Sequence, residues 1–326
     1  MANTQAHTKL NSIQLKVVKK DVADIFYDYD LPRGKKFLTV PATSKTIDVW
    51  TGILPPESLV KTWITHCDNH QKLKPMCLYG ETGTGKTLFF EYVSARMGIP
   101  LKRVNMREDM LSAELEGSKE LVNGQTISKL SEIVKVYEQG GIALIDEIDK
   151  APAGVQHFLH AFLDRRELSL TSLNMSVKAS PMAVIVATAN TNGTGENQRY
   201  HSSQTYDRSL ARRMKMLETF YPQPEQEMSI IKKACPDIPN GIALRVVKTA
   251  SLLREALVEP DFNAPFGPGD SIAWTLEMAY DVSQSPIDAL KGIYLNSLKS
   301  VEREIAIKLV KEVWKETTTK PVCNIN

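Results

Sequence analysis

The residues best equipped for chemistry lie in one run, Gly80-Glu81-Thr82-Gly83-Thr84-Gly85-Lys86-Thr87. Glycines at this spacing let the backbone of Glu81, Thr82, Gly83, Thr84 and Gly85 curl until successive N–H groups point inward. That makes a cradle for the β- and γ-phosphates of a nucleoside triphosphate, with a helix N-terminus behind it. Lys86 adds a mobile cation and Thr87 a hydroxyl for Mg²⁺, completing the Walker A pattern. A chance glycine-rich turn would not be expected to carry the whole motif between a strand and a helix.

A second cluster follows the apolar run Ile142 to Ile145, which ends in Asp146-Glu147-Ile148-Asp149. Acids at the carboxyl end of a buried strand lie where open α/β sheets bind ligands. Alone, the pair reads equally as a solvated acidic turn. Coupled to the upstream loop it reads as Walker B, with Asp146 holding Mg²⁺ through its water shell and Glu147 polarising the water that attacks the γ-phosphorus. The next apolar run, Met182 to Ala187, closes on Thr188-Ala189-Asn190. The Asn190 amide is suited to hold that water or the γ-phosphate, although by itself it reads as a turn former. Arg212 and Arg213 precede a further strand, Lys215 to Phe220, and could meet charge developing on the phosphate. With Arg208 and Lys215 beside them, the alternative is a solvated basic face.

Other candidates carry less. His66, Cys67 and His70 lack a second ligand pair at zinc spacing, so a helix surface is expected there. His157 and His160 fall in an amphipathic stretch, Val155 to Leu163, and no nucleophile elbow is present.

The elements that must hold these groups alternate. An amphipathic helix carries Leu59, Trp63, Ile64 and Cys67, and a strand from Lys74 to Tyr79 then feeds the glycine loop. A helix from Lys86 to Met97 stops at Gly98-Ile99-Pro100. A strand over Leu101 to Asn105 and a helix with Leu130, Ile133, Val134 and Tyr137 on one face come next. Between them Asn123-Gly124 signals a hairpin. Continuous apolar runs suit the central strands of a parallel sheet covered on both faces. After Tyr221-Pro222 five helices are expected, at 225–234, 242–257, 271–282, 287–300 and 301–316. In the last, Val301, Ile305, Leu309 and Val313 make a stripe with Ala306, Val310 and Trp314 beside it, and Glu302, Arg303, Lys308 and Lys311 lie outside. The expected division is a tail and lead-in over 1–52, an α/β nucleotide-binding domain over 53–221 and a helical lid over 222–326.

Composition is that of a soluble globular chain, and the 40 basic residues nearly balance the 38 acidic ones, so no global field selects nucleic acid or anionic membrane. No stretch interleaves aromatics with Lys and Arg, which argues against a nucleic-acid motor or loader. Cys67, Cys77, Cys235 and Cys323 are scattered, as in reduced proteins. Met1 to Lys20 is polar where a signal peptide needs an apolar run, and no window reaches transmembrane length. The expected location is the cytoplasm, without membrane contact.

Together, Walker A, the Asp-Glu pair, the strand-ending Asn, the Arg pair and a trailing helical unit resemble the AAA+ ATPases, in their MoxR and dynein-related branch. The likeness is to CobS-like proteins, the AAA+ subunits of cobaltochelatase. It is carried by Phe37-Leu38-Thr39-Val40-Pro41-Ala42, Val104-Asn105-Met106, Glu114-Leu115-Glu116-Gly117, Ala187 to Gly193 and Tyr200 to Met214.

This resemblance implies a P-loop NTPase α/β parallel-sheet domain followed by a smaller helical lid, with ATP and Mg²⁺ bound. It makes Asn190 the sensor-1 residue and Arg213 the arginine finger reaching a neighbour's nucleotide. Arg212 stands where the family has Asp, which leaves open which arginine acts. Gly267-Pro268-Gly269-Asp270-Ser271 falls on the sensor-2 stretch, with Gly269 in the arginine's place. A ring, usually a hexamer, is implied, working with a von Willebrand factor A-domain protein. The hairpin at Asn123-Gly124 and another over Leu168 to Lys178 match insertions that face the pore or a partner, or are ordinary surface hairpins. Three activities fit in turn: remodelling of a partner protein, the ATPase role in a cobalt- or magnesium-chelatase-like complex, and a nucleic-acid motor. A scaffold without turnover is disfavoured because Asp146 and Glu147 are both present.

Overall fold

A computed structural model describes residues 18–39, 54–192, 208–315 and 321–322. Val40 to Ala42, Gly193, Tyr200 and Cys323 lie outside the described residues.

The chain opens with β1 (Val18–Asp21), α1 (Val22–Ile25) and β2 (Lys36–Thr39). Next come α2 (Glu57–Asp68), β3 (Met76–Tyr79), α3 (Lys86–Met97), β4 (Leu101–Asn105) and α4 (Ser112–Glu116). The middle runs β5 (Gly117–Val122), β6 (Gln125–Leu130), α5 (Glu132–Gln139), β7 (Gly141–Asp146), α6 (Ala153–Leu163), β8 (Leu168–Leu170) and β9 (Met175–Val177). Then follow β10 (Ala183–Ala189), α7 (Arg208–Ala211) and β11 (Lys215–Glu218). The remainder is helical: α8 (Pro224–Ala234), α9 (Asn240–Glu255), α10 (Pro268–Tyr280), α11 (Pro286–Ile293) and α12 (Ser300–Trp314).

Five strands form one parallel sheet in the order β11-β3-β10-β7-β4. The sequence expectation of a parallel-sheet domain followed by helices therefore holds. Side chains alternate across the sheet with period two, and two cores result. Cys77, Ala143, Ile145, Ile185 and Ala187 face α5 and α6, whereas Met76, Leu78, Ile142, Leu144 and Val186 face α2 and α3. β3, which feeds the glycine loop, lies between β10 and β11, and β10 joins it to the acidic end of β7. A third core, with Trp274, Trp314, Phe262 and Phe266, belongs to α8 through α12.

The expected hairpins form. Asn123 and Gly124 have φ of 51° and 77°, the left-handed pair that a two-residue turn between twisted strands requires. Both strands of this hairpin are almost wholly exposed. Its base is pinned to the second hairpin by the buried Glu116, whose carboxylate accepts from the Ser172 amide and hydroxyl, each at 2.7 Å.

Several expectations need correction. Part of the lead-in is folded onto the domain: Val22, Ile25, Phe26, Leu31 and Phe37 are buried against α2 and α3. Leu130 ends β6, and α5 starts after Ser131, whose hydroxyl accepts the Val134 amide as an N-cap. The helix expected over 287–300 breaks at Tyr294, with a 3₁₀ turn over Leu295–Ser297 before α12. On α12 the buried face is Glu302, Ala306, Val310 and Trp314, while Val301 is exposed. The Glu302 carboxylate is buried because it caps, accepting the Lys299 amide at 3.0 Å and the Asn263 amide at 3.2 Å. His66 is not on a surface: α2 buries it beside Trp63.

Candidate functional site

β3 ends at Tyr79 and the chain turns sharply at Gly80, whose φ is +146°. A Cβ there would lie 2.3 Å from the Thr219 carbonyl oxygen, so this position admits no side chain. Gly83 and Gly85 both have φ of +84°, the second as the N-cap of α3. This is the curled loop that the glycine spacing predicts, opening directly into a helix. Thr219, just beyond β11, holds the loop from outside: its hydroxyl hydrogen-bonds to that of Thr84 at 2.9 Å and donates to the Tyr79 carbonyl at 3.0 Å.

Lys86 is buried, and its Nζ donates to the carbonyls of Gly80 (2.8 Å) and Glu81 (2.9 Å). Burial lowers the ammonium pKa; Asp149 and then Asp146 oppose that shift and favour the charged form. Thr87 Oγ1 lies 3.1 and 3.2 Å from the two carboxylate oxygens of Asp146. The Walker A hydroxyl and the Walker B acid, 59 residues apart, thus converge. Their oxygens are hard donors of the kind Mg²⁺ takes, one carboxylate and one hydroxyl, leaving the remaining positions to water and phosphate. Among the described residues no group of three His, Cys, Asp or Glu could hold a metal alone, so the donor set fits an ion that arrives with a phosphate ligand.

Glu147 has φ of 54°, in the left-handed region a non-glycine residue occupies only under constraint. Its carboxylate forms an ion pair with Lys150 Nζ at 2.9 Å and is one-third exposed. Its amide donates to Thr188 Oγ1 at 3.0 Å, and that hydroxyl donates in turn to Asp146 Oδ1. Thr188 therefore sets both acids at once. Asn190, at the end of β10, has its amide bonded to Asp149 Oδ2 at 3.0 Å. It lines a cavity of about 400 Å³ with Gly80, Glu81, Thr84, Glu218 and Tyr221.

Arg212 and Arg213 are arranged differently. Arg212 is exposed, whereas Arg213 pairs with Asp164 at 3.2 Å and donates from Nη1 to the Ser209 carbonyl at 2.8 Å. Its partners lie at the end of α6 and in α7, not in the phosphate loop. Lys86, Thr87, Asp146, Glu147 and Asn190 are brought together at adjacent strand ends, and the arginines are not brought against them.

Sequence reasoning passed over four residues here. Thr188 was visible as the one hydroxyl in a buried apolar strand. Arg103, whose Nε lies 2.6 Å from Asp146 Oδ2, stands on edge strand β4, where a basic residue carries no special signal. Thr219 and Tyr221 follow a strand end and look like ordinary turn residues. His66, Cys67 and His70 form no ligand set: the His70 ring nitrogens lie 2.7 Å from the Cys67 carbonyl and 2.9 Å from the Pro181 carbonyl. His160 Nε2 lies 3.1 Å from the Ser209 hydroxyl. Among the described residues, no helix is long and apolar enough to cross a membrane.

Comparison with known proteins gives the same reading of the core. Residues 75–209 match the AAA domain of the dynein-related subfamily. NorQ of Paracoccus denitrificans is 29% identical over 182 residues, which are 55% of this chain and 64% of NorQ. The aerobic cobaltochelatase subunit CobS of a Sinorhizobium species is 26% identical over 281 residues, 82% of this chain and 84% of CobS. The von Willebrand factor A domain-containing protein 8 of Mus musculus is 31% identical over 99 residues, 30% of this chain and 5% of that protein. The chain thus spans just under two thirds of NorQ and a small part of the mouse protein. With the phosphate loop, the strand order and these relatives in agreement, residues 75–209 form an AAA domain of the dynein-related subfamily, and the relatives are AAA+ proteins of the MoxR-like branch.

Proposed function

We propose that this chain binds Mg²⁺-ATP and hydrolyses it as a ring oligomer, in which the catalytic site is complete once two copies meet. The observation that carries this reading is the convergence of Thr87 on Asp146 beside the Lys86 cradle, with Glu147 next in the chain. Lys86 and the loop amides bind the β- and γ-phosphates, and Thr87 with Asp146 would hold Mg²⁺, which would supply neutralisation of charge on the phosphate oxygens. The Glu147 carboxylate, turning from Lys150, accepts a hydrogen bond from the attacking water, and the Asn190 amide orients that water. Arg213 or Arg212 of a neighbouring copy supplies the cation for charge developing on the γ-phosphate.

Residues 222–326 act in this reading as a lid over the nucleotide, and closure of the ring works on a partner protein. A von Willebrand factor A-domain protein is the partner proposed, because that domain stands in the name of one relative. A cytoplasmic setting and a hexamer go with the reading. A second reading, the ATPase subunit of a chelatase-like complex, is favoured by the alignment with CobS along 82% of the chain.

Phosphate release and ATPγS binding, measured on the wild type and Glu147→Gln, test the proposal. Turnover that collapses in the variant while binding and assembly persist is expected; normal turnover in the variant would sink it. Native mass spectrometry with Mg²⁺-ATPγS reads the ring size. Pull-down of co-expressed neighbours separates the readings: a von Willebrand A-domain protein supports remodelling, and a large chelatase subunit supports the second.

A further inference from the structure

The first turn of α10 is Pro268, Gly269 and Asp270, and it carries no arginine. Gly269 has nothing within 4 Å of the place where a side chain would begin, and the Asp270 carboxylate is turned back onto the Gly267 amide at 2.8 Å. The helix nonetheless reaches the phosphate loop: a Cβ on Gly83 would lie 3.1 Å from the Gly267 Cα. Contact there is backbone to backbone.

A charged group does stand behind this contact, on a different helix. Arg254, near the end of α9, donates from Nη1 and Nη2 to the two carboxylate oxygens of Glu227 on α8, at 2.6 and 2.7 Å. Its Nε donates to the Phe266 carbonyl, one residue before Gly267, at 2.8 Å. Glu227 is 1% exposed in its side chain and also accepts the Ser271 hydroxyl of α10 at 2.6 Å. One guanidinium therefore joins α8, α9 and the start of α10. Its guanidinium carbon lies over the Tyr221 ring, 4.4 Å from the centroid, and the Tyr221 hydroxyl donates to the Thr82 carbonyl of the phosphate loop at 2.8 Å. An ion pair this buried adds little net stability, because desolvation offsets the attraction, but its fork fixes geometry.

We propose that Arg254 is the positioning residue that couples the helical unit to the phosphate loop, using Tyr221 as a strut against Thr82. It takes this part from α9, where α10 has no side chain to offer. When the loop closes on a nucleoside triphosphate, movement of the Thr82 carbonyl shifts Tyr221, and Arg254 carries the shift to three helices together. This inference rests on the nucleotide-binding reading proposed above.

Hydrogen exchange of the full chain, with and without Mg²⁺-ATPγS, tests it. In the wild type, ATPγS is expected to slow exchange in α8, α9 and α10 as well as in the loop. Tyr221→Phe keeps the ring over Arg254 and removes only the hydroxyl. It is expected to bind ATPγS within about fivefold of the wild type, the worth of one neutral hydrogen bond, and to lose the slowing in the three helices. Its kcat should fall about tenfold with KM little changed, a size usual for residues that carry coupling. Arg254→Lys keeps a cation beside Glu227, so the buried carboxylate is not orphaned, and should behave like Tyr221→Phe because the fork and the guanidinium over the Tyr221 ring are lost. Either variant with a wild-type exchange response in the helices overturns the relay. A wild type that binds ATPγS without any response in the helices overturns it too and leaves the nucleotide reading standing. A wild type that binds no ATPγS overturns both.

Discussion

The phosphate cradle and the arginine segment are built on opposite plans. In the cradle, Thr87, Asp146, Thr188 and the Glu147 amide are wired to one another through buried or half-buried hydrogen bonds, and Lys86 is held beside them on the Gly80 and Glu81 carbonyls of the phosphate loop. In the segment, Arg213 is held by Asp164 and Ser209 and touches none of those groups, while Arg212 stands exposed. The first region is preorganised to receive a phosphate. The second keeps its cations apart from that place. That division is what a site completed by a second copy requires, so changes on the two sides should fail differently.

The largest effect is expected from Arg213→Ala. If the finger is supplied by a neighbour, turnover falls on the order of 10³-fold, with ATPγS affinity unchanged, because no cradle contact is lost. Parallel loss of binding would erase the difference between the regions. Glu147→Gln should lower turnover by roughly 10²-fold or more, the range for a lost general base, with binding retained. Stopped-flow phosphate release alongside nucleotide titration checks both.

The cradle side also carries an acid-sensitive group. Burial pushes the His66 imidazole down to about 4, from an ordinary value of 6.5. Its folded-state pKa lies below the unfolded value, so the unfolded chain takes the proton first. This contribution to stability is present above pH 6.5 and is lost as the pH falls toward 4, by roughly 3 kcal/mol in full. His66→Gln should flatten that part of the dependence, read as thermal midpoints at pH 7 and pH 4.5. Equal acid sensitivity in the two proteins would show that His66 is not its source. Thr188→Val should cost about 1–2 kcal/mol and weaken Mg²⁺-ATPγS binding, because the Glu147 amide loses its acceptor and Asp146 its donor. An unchanged melting curve and affinity would remove Thr188 from the account.

The chemistry of the cradle was legible because its residues are contiguous or close a buried strand: Gly80 to Thr87, Asp146-Glu147 and Asn190 all announce themselves by type and position. What links them was less legible. Thr188 meets Asp146 only through the pairing of β10 with β7, and Arg103 only through that of β4 with β7. Arg254 and Glu227 lie 27 residues apart on different helices, and each reads singly as a charged helix surface. The α12 stripe was misjudged by one position because an apolar period does not show that Glu302, as a cap, is drawn inward. Likewise, histidine beside Trp63 reads as surface until packing neutralises it. Polar residues that serve backbone or ion-pair partners escape a reading built on hydrophobic period.

The most direct measurement of the central claim is phosphate release from a mixture of Lys86→Ala and Arg213→Ala chains. Each alone should be inactive, one for want of a phosphate grip and the other for want of the finger. Mixed, an Arg213→Ala cradle beside a Lys86→Ala neighbour has one intact copy of each part, so partial activity should return. A mixture as inactive as its components would contradict a site shared between copies.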